Sequence, residues 1–452
     1  MDGVAARAEL AARMPHVFSI QYPPSRALFR DKYRAEHDAS VVEGLGRALV
    51  YLHVPFCAAK CHYCNFAVDV RRDAELHRRY VDALVLQVER VLGRMTGKIA
   101  GIDVGGGTPT LLAAAELERV LRACGPLLAR AERDDALSIE TTPRVAAREP
   151  DKLALLRDLG VARVSVGVQS TNDEVLAEVN RGEQVALADA ALAALMAAGF
   201  RRVNVDLVFG LPGQTPAAFR EDLLRVVEHG VDSITTYDCL YRGQGRALPH
   251  KAAGLPTMAE YRALYELGYE LLQARGYAAA YGSLNFSRHA GETGTSPYFE
   301  GRLLWGLPYV GLGSYASSLV GARWWFAPHA TGAYVAAIEG GAVLPAGDSY
   351  VLPAEERMAK SVLAMLNFGG IDRGSFFNEF GVGVDEAFAP AIAYAAGQGW
   401  LVDRGGRLAV GEGRFDVMPG IRGLFYSDAA IAWVERAAGR LPLFRGAVAG
   451  RG

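Results

Sequence analysis

The sequence predicts an α/β protein: a partial (β/α)6 barrel, preceded by an N-terminal arm and followed by a small, mainly helical C-terminal domain. Two observations predict the barrel. Between residues 47 and 275, short apolar runs rich in β-branched residues alternate with segments of helical periodicity. Every distinctive motif follows the end of such a run. Ligands bind at the carboxyl ends of the strands in parallel sheets, so we expect the motifs to form one site.

The predicted barrel elements follow in chain order. The predicted strands span residues 48–55, 99–105, 137–142, 163–170, 202–210 and 233–240. The clearest predicted helices span residues 74–92, 114–129 and 216–228. Strands separated by helices form right-handed βαβ units, which build a parallel sheet with the helices outside. Six such units make an open three-quarter barrel rather than the closed barrel of eight.

Three segments lie outside the barrel. Residues 1–46 form an arm, with aromatic and basic residues around Pro24, that either covers the barrel mouth or simply packs against the protein. Residues 276–349 form a post-barrel insert, where we expect the substrate region. Residues 350–452 form the C-terminal domain, in which a helical pattern precedes the hairpin pattern GWLVDRGGRLAV with its turn at Gly405 and Gly406.

Charge and hydropathy exclude several classes of protein. The chain carries 48 Lys and Arg residues against 50 Asp and Glu, a net charge of −2, so no global field attracts nucleic acid or an anionic membrane. No apolar run is long enough to span a bilayer, and the first residues lack the apolar core of a signal peptide. The sequence therefore predicts a cytoplasmic protein, in a compartment where thiolates persist.

Three of the five cysteines stand close together. Cys57, Cys61 and Cys64 have the spacing C-x3-C-x2-C in YLHVPFCAAKCHYCNF. Three cysteines can bind three irons of a [4Fe–4S] cluster and leave the fourth iron open. A zinc site is the alternative, but it needs a fourth ligand such as the adjacent His62, and no second C-x2-C pair exists. A disulfide framework would need more cysteines.

The cysteine triplet resembles the signature of radical S-adenosylmethionine (SAM) enzymes, in which the open iron binds the methionine part of SAM. A glycine run follows the second predicted strand, in GIDVGGGTPTLL. Consecutive glycines let backbone groups approach a ligand closely, and this run resembles the motif that holds the SAM amino group. Its residues are Gly105, Gly106, Gly107 and Thr108.

Polar residues end the next three predicted strands. Glu140, in IETTP, is a carboxylate in an apolar strand, which indicates either an ion pair inside the barrel or a contact with the cationic SAM amine. Gln169, in VGVQS, can bond a ribose hydroxyl. Arg181, in the following NRG, can bind the SAM carboxylate with two hydrogen bonds. Asp206, in VNVDLVFGLPGQT, suits ribose hydroxyls.

Together these motifs resemble the HemN-like branch of the radical SAM superfamily, the relatives of oxygen-independent coproporphyrinogen oxidase. The strong matches lie between residues 50 and 210. The resemblance implies a [4Fe–4S] cluster that receives an electron from a donor such as flavodoxin or ferredoxin. It also implies reductive cleavage of SAM to methionine and a 5′-deoxyadenosyl radical. Tyr51, Tyr63 and Phe66 are expected to line the SAM site, although Tyr63 also suits plain core packing.

Departures from the family pattern bear on the reaction. Phe66 stands where coproporphyrinogen oxidases carry a fourth cysteine, which argues against coproporphyrinogen decarboxylation. Heme-chaperone relatives carry an HN-x-x-YW element before a GxGxxAHS-like segment. Here the corresponding region, SRHAGETGTSPYFEGRLLWGLPYVGLGSYASS, lacks the HN pair and places Tyr315 near the expected histidine. The N-terminal arm is also long for that group.

These departures favour the class C radical SAM methyltransferases and cyclopropane synthases. In them a second SAM donates carbon to an sp2 carbon, and we expect an aromatic or heteroaromatic natural product as the small-molecule substrate. The alternative is a HemW-like heme chaperone or a heme-modifying radical SAM methyltransferase. The expected proton-transfer candidates belong to the post-barrel insert and are Tyr281, His289, Glu300 and Tyr315. Tyr298 joins three of them as an expected contact of the second SAM.

Overall fold

The computed structural model of the chain describes residues 2–15, 17–18, 22–182, 185–239 and 255–437. The strands are β1 (Arg47–Val54), β2 (Lys98–Gly106), β3 (Leu137–Thr141), β4 (Arg163–Gln169), β5 (Arg202–Phe209), β6 (Ser233–Asp238), β7 (Asn285–Ser287), β8 (Tyr309–Leu312), β9 (Ser317–Val320), β10 (Arg323–Phe326), β11 (Asp348–Val351), β12 (Gly370–Asp372), β13 (Leu401–Asp403) and β14 (Arg407–Val410).

The helices up to the end of the barrel are α1 (Asp2–Arg13), α2 (Arg26–Lys32), α3 (Ala74–Leu92), α4 (Ala114–Ala123), α5 (Gly125–Leu128), α6 (Pro143–Arg148), α7 (Pro150–Asp158), α8 (Asp173–Glu178), α9 (Val185–Ala197), α10 (Pro216–Glu228) and α11 (Met258–Ala274). Those that follow are α12 (Pro297–Leu303), α13 (Thr331–Glu339), α14 (Ala354–Met365), α15 (Arg373–Phe380), α16 (Val384–Ala387), α17 (Ala389–Gly397), α18 (Met418–Leu424) and α19 (Asp428–Ala437). None of the helices in the described part of the chain has the length and hydropathy that a membrane span requires.

The predicted partial barrel is confirmed. Strands β1 to β6 pair in sequence order and in parallel, and each lies within two residues of its predicted bounds. The predicted strand 233–240 ends at Asp238, and Leu240 lies outside the described residues. The predicted helix 114–129 divides into α4 and α5 at Gly125, because Pro126 has no backbone N–H for a continuous helix.

The sheet continues beyond the barrel on both sides, which the sequence did not indicate. It has 11 strands in the order β11-β10-β9-β8-β1-β2-β3-β4-β5-β6-β7. Strand β8 pairs in parallel with β1, whereas β7 pairs antiparallel with β6. Much of the predicted post-barrel insert is therefore an extension of the main sheet.

Helix α12 packs against the inner face of β1 and β2. A Cβ atom at Gly101 of β2 would lie 2.5 Å from the backbone nitrogen of Tyr298. The hydroxyl of Ser296, which caps the helix, donates to Asp103 over 2.7 Å. The insert therefore fills part of the barrel interior, and the last turn of α12 carries Arg302 to the cavity described below.

The N-terminal arm and the C-terminal domain pack together. Helix α1 lies close to α18, since a Cβ atom at Gly423 would be 2.7 Å from that of Ala11. The predicted hairpin is confirmed as β13 and β14, which join β12 in a 3-stranded sheet, and Gly405 has the left-handed φ of +72° that favours glycine. The arm thus packs against the protein, and it also reaches the barrel mouth, where residues 22–27 line a cavity.

Candidate active site

The sheet register places polar side chains inside the barrel. Alternate residues of a strand face the same side, and Asp103, Ser138 and Arg163 are aligned across β2, β3 and β4. One layer nearer the carboxyl ends, Glu140 is aligned with Ser165. The apolar residues between them belong to the core beneath the outer helices. The barrel interior therefore presents polar side chains that can bind a polar ligand.

A cavity of about 1500 Å³ lies at the carboxyl ends of the barrel strands. It brings together every cofactor-site residue expected from the sequence except Gly105. The expected residues that line it are Tyr51, Cys57, Cys61, Tyr63, Cys64, Phe66, Gly106, Gly107, Thr108, Glu140, Gln169, Arg181 and Asp206.

The glycine run packs tightly against its neighbours. A Cβ atom at Gly105 would lie 2.7 Å from Oε1 of Glu140. The glycine therefore leaves room for the carboxylate to lie against the backbone of β2. A Cβ atom at Gly107 would lie 2.6 Å from the carbonyl oxygen of Phe56, just before the first cysteine. The run therefore links the cysteine loop to the acidic interior, and a larger residue fits only if its surroundings move.

Glu140 is a half-buried carboxylate in the wall of the cavity. Its Oε2 accepts a hydrogen bond from the backbone N–H of Gly106 over 3.0 Å, and it joins no ion pair among the described residues. Burial, opposed by that hydrogen bond and reinforced by Asp206 and Asp103, raises the pKa of Glu140 to about 8. Arg163, inside the barrel, lowers this pKa through its charge but forms no ion pair with Glu140. A cationic ligand would offset the cost of ionising this group.

Arg181 joins the cysteine loop to the end of β4. Its Nη1 donates to the hydroxyl of Tyr63 over 3.0 Å and to Sγ of Cys61 over 3.6 Å. Its Nη2 donates to the carbonyl oxygen of Gly167. Its Nε is buried and has no hydrogen-bond partner among the residues that the structure describes. Tyr63 packs against a small apolar cluster, but its hydroxyl also holds Arg181, so it does more than fill the core.

Gln169 and Asp206 complete this side of the cavity. Gln169 has a left-handed φ of +72°, a conformation that is costly for a residue other than glycine and that clusters at functional sites. Asp206 accepts hydrogen bonds from Ser165 Oγ over 2.9 Å and from Asn204 Nδ2 over 2.8 Å, and burial raises its pKa. Both side chains offer oxygens to a ligand with hydroxyl groups.

The cysteine loop suits an iron–sulfur cluster with one open iron. All three thiols line the cavity, and Sγ of Cys57 lies 3.7 Å from Oγ1 of Thr108. Burial raises the pKa of Cys57 to about 11, so iron binding would release a proton there. No three His, Cys, Asp or Glu side chains of the described residues surround a single metal position. A cluster does not require that, because each thiolate binds a different iron.

His62, the fourth ligand of the zinc alternative, lies outside the cavity. Its Nδ1 is 3.2 Å from the carbonyl oxygen of Glu178, and its backbone N–H donates to Val179 over 2.9 Å. These bonds hold the histidine against α8 and its carboxyl end. The metal donors that the cysteine loop offers to the cavity are therefore three thiols, which fits the cluster rather than a four-ligand zinc site.

The expectation that four insert residues gather at the site is wrong for three of them. Tyr281 lies between α11 and the C-terminal domain, outside the cavity. Nε2 of His289 lies 2.6 Å from Oδ1 of Asp232, next to the amino end of β6. Glu300 faces Arg133 over 3.7 Å, near the amino end of β3. These positions are remote from the carboxyl ends that form the site.

Tyr315 is the fourth candidate, and it lines the cavity. Its hydroxyl accepts a hydrogen bond from Nη2 of Arg26 over 2.7 Å, which ties the N-terminal arm to the cavity wall. Its φ of +58° is left-handed, as at Gln169. Tyr298, the fifth expected residue of the insert, is fully buried and does not line the cavity.

Sequence reasoning missed a second group of cavity residues, on the side of β8 to β10. One signal for it was available, because Lys360 stands beside Ala359 and Leu363 on the buried face of α14. A lysine in an apolar setting calls for a partner or a function. The missed residues that line the cavity are Arg26, Arg302, Trp324, Phe326 and Lys360.

Comparisons with known proteins agree with this geometry. Residues 51–226 match the family model of the radical SAM superfamily. The heme chaperone HemW of Mycobacterium tuberculosis is 32% identical over 324 residues, which cover 70% of this chain and 80% of that protein. Oxygen-independent coproporphyrinogen III oxidase of Escherichia coli is 34% identical over 190 residues, which cover 42% of this chain and 41% of that protein.

A solved structure supports the fold. Coproporphyrinogen III oxidase (HemN) from Escherichia coli, described as a radical SAM enzyme, matches with a TM-score of 0.72 at 23% identity. The match covers 87% of this chain and 94% of that chain. The likeness therefore extends well beyond the barrel.

Proposed function

We infer the function from one premise: this chain belongs to the radical SAM superfamily and, within it, to the HemN/HemW-like branch. We propose that Cys57, Cys61 and Cys64 hold a [4Fe–4S] cluster and that SAM binds beside it, since the thiols and the glycine run line one cavity. When bound, the cluster supplies the electron that cleaves SAM to methionine and a 5′-deoxyadenosyl radical. We propose a flavodoxin or ferredoxin as the source of that electron.

The residues around the cysteines divide the binding of SAM between them. Glu140, which joins no ion pair among the described residues, offers its carboxylate to the SAM ammonium group. Gln169 and Asp206 offer oxygens to the ribose hydroxyls. Arg181 is fixed by Tyr63, and its guanidinium holds the carboxylate end of SAM. Rigid placement of these groups orients the bond of SAM that is cleaved.

We propose that the substrate is a heme-like tetrapyrrole bound in the same cavity. The cavity carries this proposal, because its volume of about 1500 Å³ exceeds the range of about 300–1000 Å³ that is typical of pockets for a single small ligand. It extends from the cysteines to an aromatic and cationic wall formed by Arg302, Trp324 and Lys360. Relatives named for heme and for coproporphyrinogen favour a tetrapyrrole over an unrelated natural product.

The cluster is tested by anaerobic reconstitution with iron and sulfide. The wild-type protein should bind iron, show a broad thiolate-to-iron absorbance and release 5′-deoxyadenosine from SAM after reduction. A variant with alanine at Cys57, Cys61 and Cys64 should do none of these. Cys124→Ala is the matched control, because this buried thiol lies outside the cavity. Full iron loading of the triple variant would contradict the assignment.

The substrate proposal is tested by adding heme to the reconstituted protein. Binding should shift the Soret absorbance of heme with a stoichiometry of about one and should change the rate of 5′-deoxyadenosine formation, since the ligand shares the cavity with SAM. Absence of both effects would rule out heme. An effect on absorbance alone would indicate a heme carrier rather than an enzyme acting on heme.

A second candidate function is carbon transfer from a second SAM to an sp2 carbon. One observation favours it over coproporphyrinogen decarboxylation: the fourth cysteine of the oxidases is replaced by Phe66, which lines the cavity and is 52% exposed. An exposed aromatic ring suits a second sulfonium cation.

The carbon-transfer candidate makes a stoichiometric prediction. With substrate present, 5′-deoxyadenosine and S-adenosylhomocysteine should form in about equal amounts, because radical formation and carbon donation each consume one SAM. SAM deuterated in its methyl group should pass deuterium to 5′-deoxyadenosine. If neither S-adenosylhomocysteine nor a carbon-enriched product forms, this candidate is wrong.

A further inference from the structure

Two cations at one end of the cavity have no anionic partner. Arg302 and Lys360 both line the cavity, and neither takes part in an ion pair among the residues that the structure describes. The guanidinium of Arg302 lies 4.2 Å from the ring centroid of Tyr309, and its Nη1 donates to the hydroxyl of Tyr298 over 3.3 Å. Nζ of Lys360 lies 4.8 Å from the ring centroid of Trp324. Both cations therefore rest on aromatic rings.

Two polar groups beside these cations are buried. The hydroxyl of Tyr309 lies near Nε1 of Trp324 and the side chain of Ser317. Neither the Tyr309 hydroxyl nor Nε1 forms a hydrogen bond of normal geometry within the described residues, although Tyr309 and Trp324 are only 2% and 5% exposed. Buried polar atoms without such a bond are rare and call for an explanation. Burial would raise the pKa of Tyr309, but the charges of Arg302 and Lys360 lower it, which shows that both cations act on this hydroxyl.

Two carboxylates influence these cations without forming an ion pair with them in the described part of the chain: Asp103 acts on Arg302 and Glu379 on Lys360. Glu379 accepts a hydrogen bond from Ser361 Oγ over 2.7 Å instead. The site therefore combines a guanidinium and an ammonium group, both of which are donors. A set of donors without a carboxylate is complementary to an anion with several oxygen atoms.

We propose that Arg302 and Lys360 form a subsite that binds a carboxylate of the substrate. The inference rests on the proposed function, because it assigns this end of the cavity to the substrate and the cysteine end to SAM. The carboxylate of SAM is the other possible source of the same chemistry. Position separates the two: strands β1, β2 and β3 lie between β8, which carries Tyr309, and β4, which leads to Arg181. The substrate is thus an aromatic carboxylate, held by its acid group while its ring reaches the radical.

The subsite also explains how the post-barrel segments contribute to the site. Arg302 belongs to α12, Trp324 to β10 and Lys360 to α14. These elements come from the post-barrel insert and the C-terminal domain, whereas every expected SAM residue comes from the barrel. Substrate recognition and radical formation are therefore built from separate parts of the chain.

The experiment measures binding of coproporphyrin III and of its tetramethyl ester to the cluster-loaded protein by porphyrin fluorescence. The ester keeps the ring and removes the negative charges. Wild type should bind the free acid at least tenfold more tightly than the ester. Arg302→Met and Lys360→Met keep the apolar length of the side chains, and the double variant should lose this preference. Arg72→Met, which removes an exposed charge at the cavity rim, is the matched control and should keep it.

The same variants distinguish the two sources of the carboxylate. SAM affinity is measured by equilibrium dialysis, and melting curves followed by circular dichroism establish that each variant is folded. If the double variant loses SAM affinity and keeps its preference for the free acid, the subsite serves SAM and the proposal is wrong. An equal preference for acid over ester in wild type and double variant also overturns it.

A smaller probe separates this inference from the tetrapyrrole proposal. If wild type binds neither porphyrin, the tetrapyrrole substrate is wrong, and the subsite is tested with 1-naphthoate and its neutral isostere 1-naphthamide. Preference for 1-naphthoate in wild type and in Arg72→Met, but not in the double variant, would support the carboxylate subsite on its own. Equal binding of the two probes by wild type would overturn it.

Discussion

Replacement of Glu140 by glutamine should make the ligand-free protein more stable and the SAM site weaker. The carboxylate of Glu140 is half-buried in the cavity wall, and its pKa is raised from the ordinary 4.5 to about 8. Because the folded protein holds this proton more tightly than the unfolded chain does, the free energy of unfolding falls as pH rises from about 4.5 to about 8. Glutamine carries no charge and avoids this loss.

The magnitude follows from the raised pKa. Each pH unit between the two pKa values costs the folded protein about 1.4 kcal/mol. The raised pKa of Glu140 therefore lowers the free energy of unfolding by about 5 kcal/mol above pH 8, and by about 3 kcal/mol at pH 7, where the folded protein still keeps the proton. The backbone N–H of Gly106, which donates to Glu140, can donate to the amide oxygen of glutamine instead. The substitution thus removes the charge and keeps the hydrogen bond.

The assay is urea unfolding of the ligand-free protein at pH 5.5 and at pH 8, followed by circular dichroism. The stability advantage of Glu140→Gln over wild type should grow by about 3 kcal/mol between the two conditions. Glu221→Gln, on the exposed side of α10, is the matched control and should show no such growth. In the same Glu140 variant SAM affinity should fall by about 1.5–3 kcal/mol, the usual worth of a charged hydrogen bond. A stability difference that does not change with pH would refute the reasoning.

Three further predictions concern the site and its support. Arg181→Ala should lower SAM affinity by about 1.5–3 kcal/mol in equilibrium dialysis, and unchanged binding would remove this residue from the SAM site. Gly105→Ala should also weaken SAM binding, because the new Cβ atom would lie 2.7 Å from Oε1 of Glu140; Gly125→Ala, with open space around its Cβ position, should not. Tyr22→Phe should lower the free energy of unfolding by about 1–3 kcal/mol in urea, because the lost hydroxyl joins the N-terminal arm to a buried carboxylate of α14 and to a serine 3.0 Å away. An unchanged denaturation midpoint would show that this contact does not hold the arm.

The barrel was predictable because its signals are long and repeated. Strands such as 202–210 are rich in apolar and β-branched residues, and helical segments separate them, which is typical of βαβ units. The extension of the sheet was not predictable on the same basis. Strand β8 has only the four residues YVGL, and β7 has three. A run of that length carries no period, so only the pairing partner, β1 for β8, makes it a strand.

The SAM side of the cavity was predictable from the sequence, whereas the cation and aromatic side was not, for a related reason. The SAM side is formed by local motifs, each directly after its own barrel strand, so sequence order alone places them together. The cation and aromatic side is formed by residues far apart in the chain, such as Arg302 and Lys360, which meet only after α12 packs against β1 and β2 and α14 packs against α12. Nothing in the sequence around Arg302 indicates that its guanidinium faces a cavity.

The positions of the four insert candidates show why only one of them reaches the site. Ligands bind beyond the carboxyl ends of parallel strands, and only part of the insert lies at those ends. His289 and Glu300 lie near the amino ends of β6 and β3, where the chain passes before it enters β8. Strand β8 then runs parallel to β1 and returns the chain to the carboxyl side. Tyr315, three residues after Leu312 ends β8, is the one candidate that follows a parallel strand of the main sheet, and it is the one that lines the cavity.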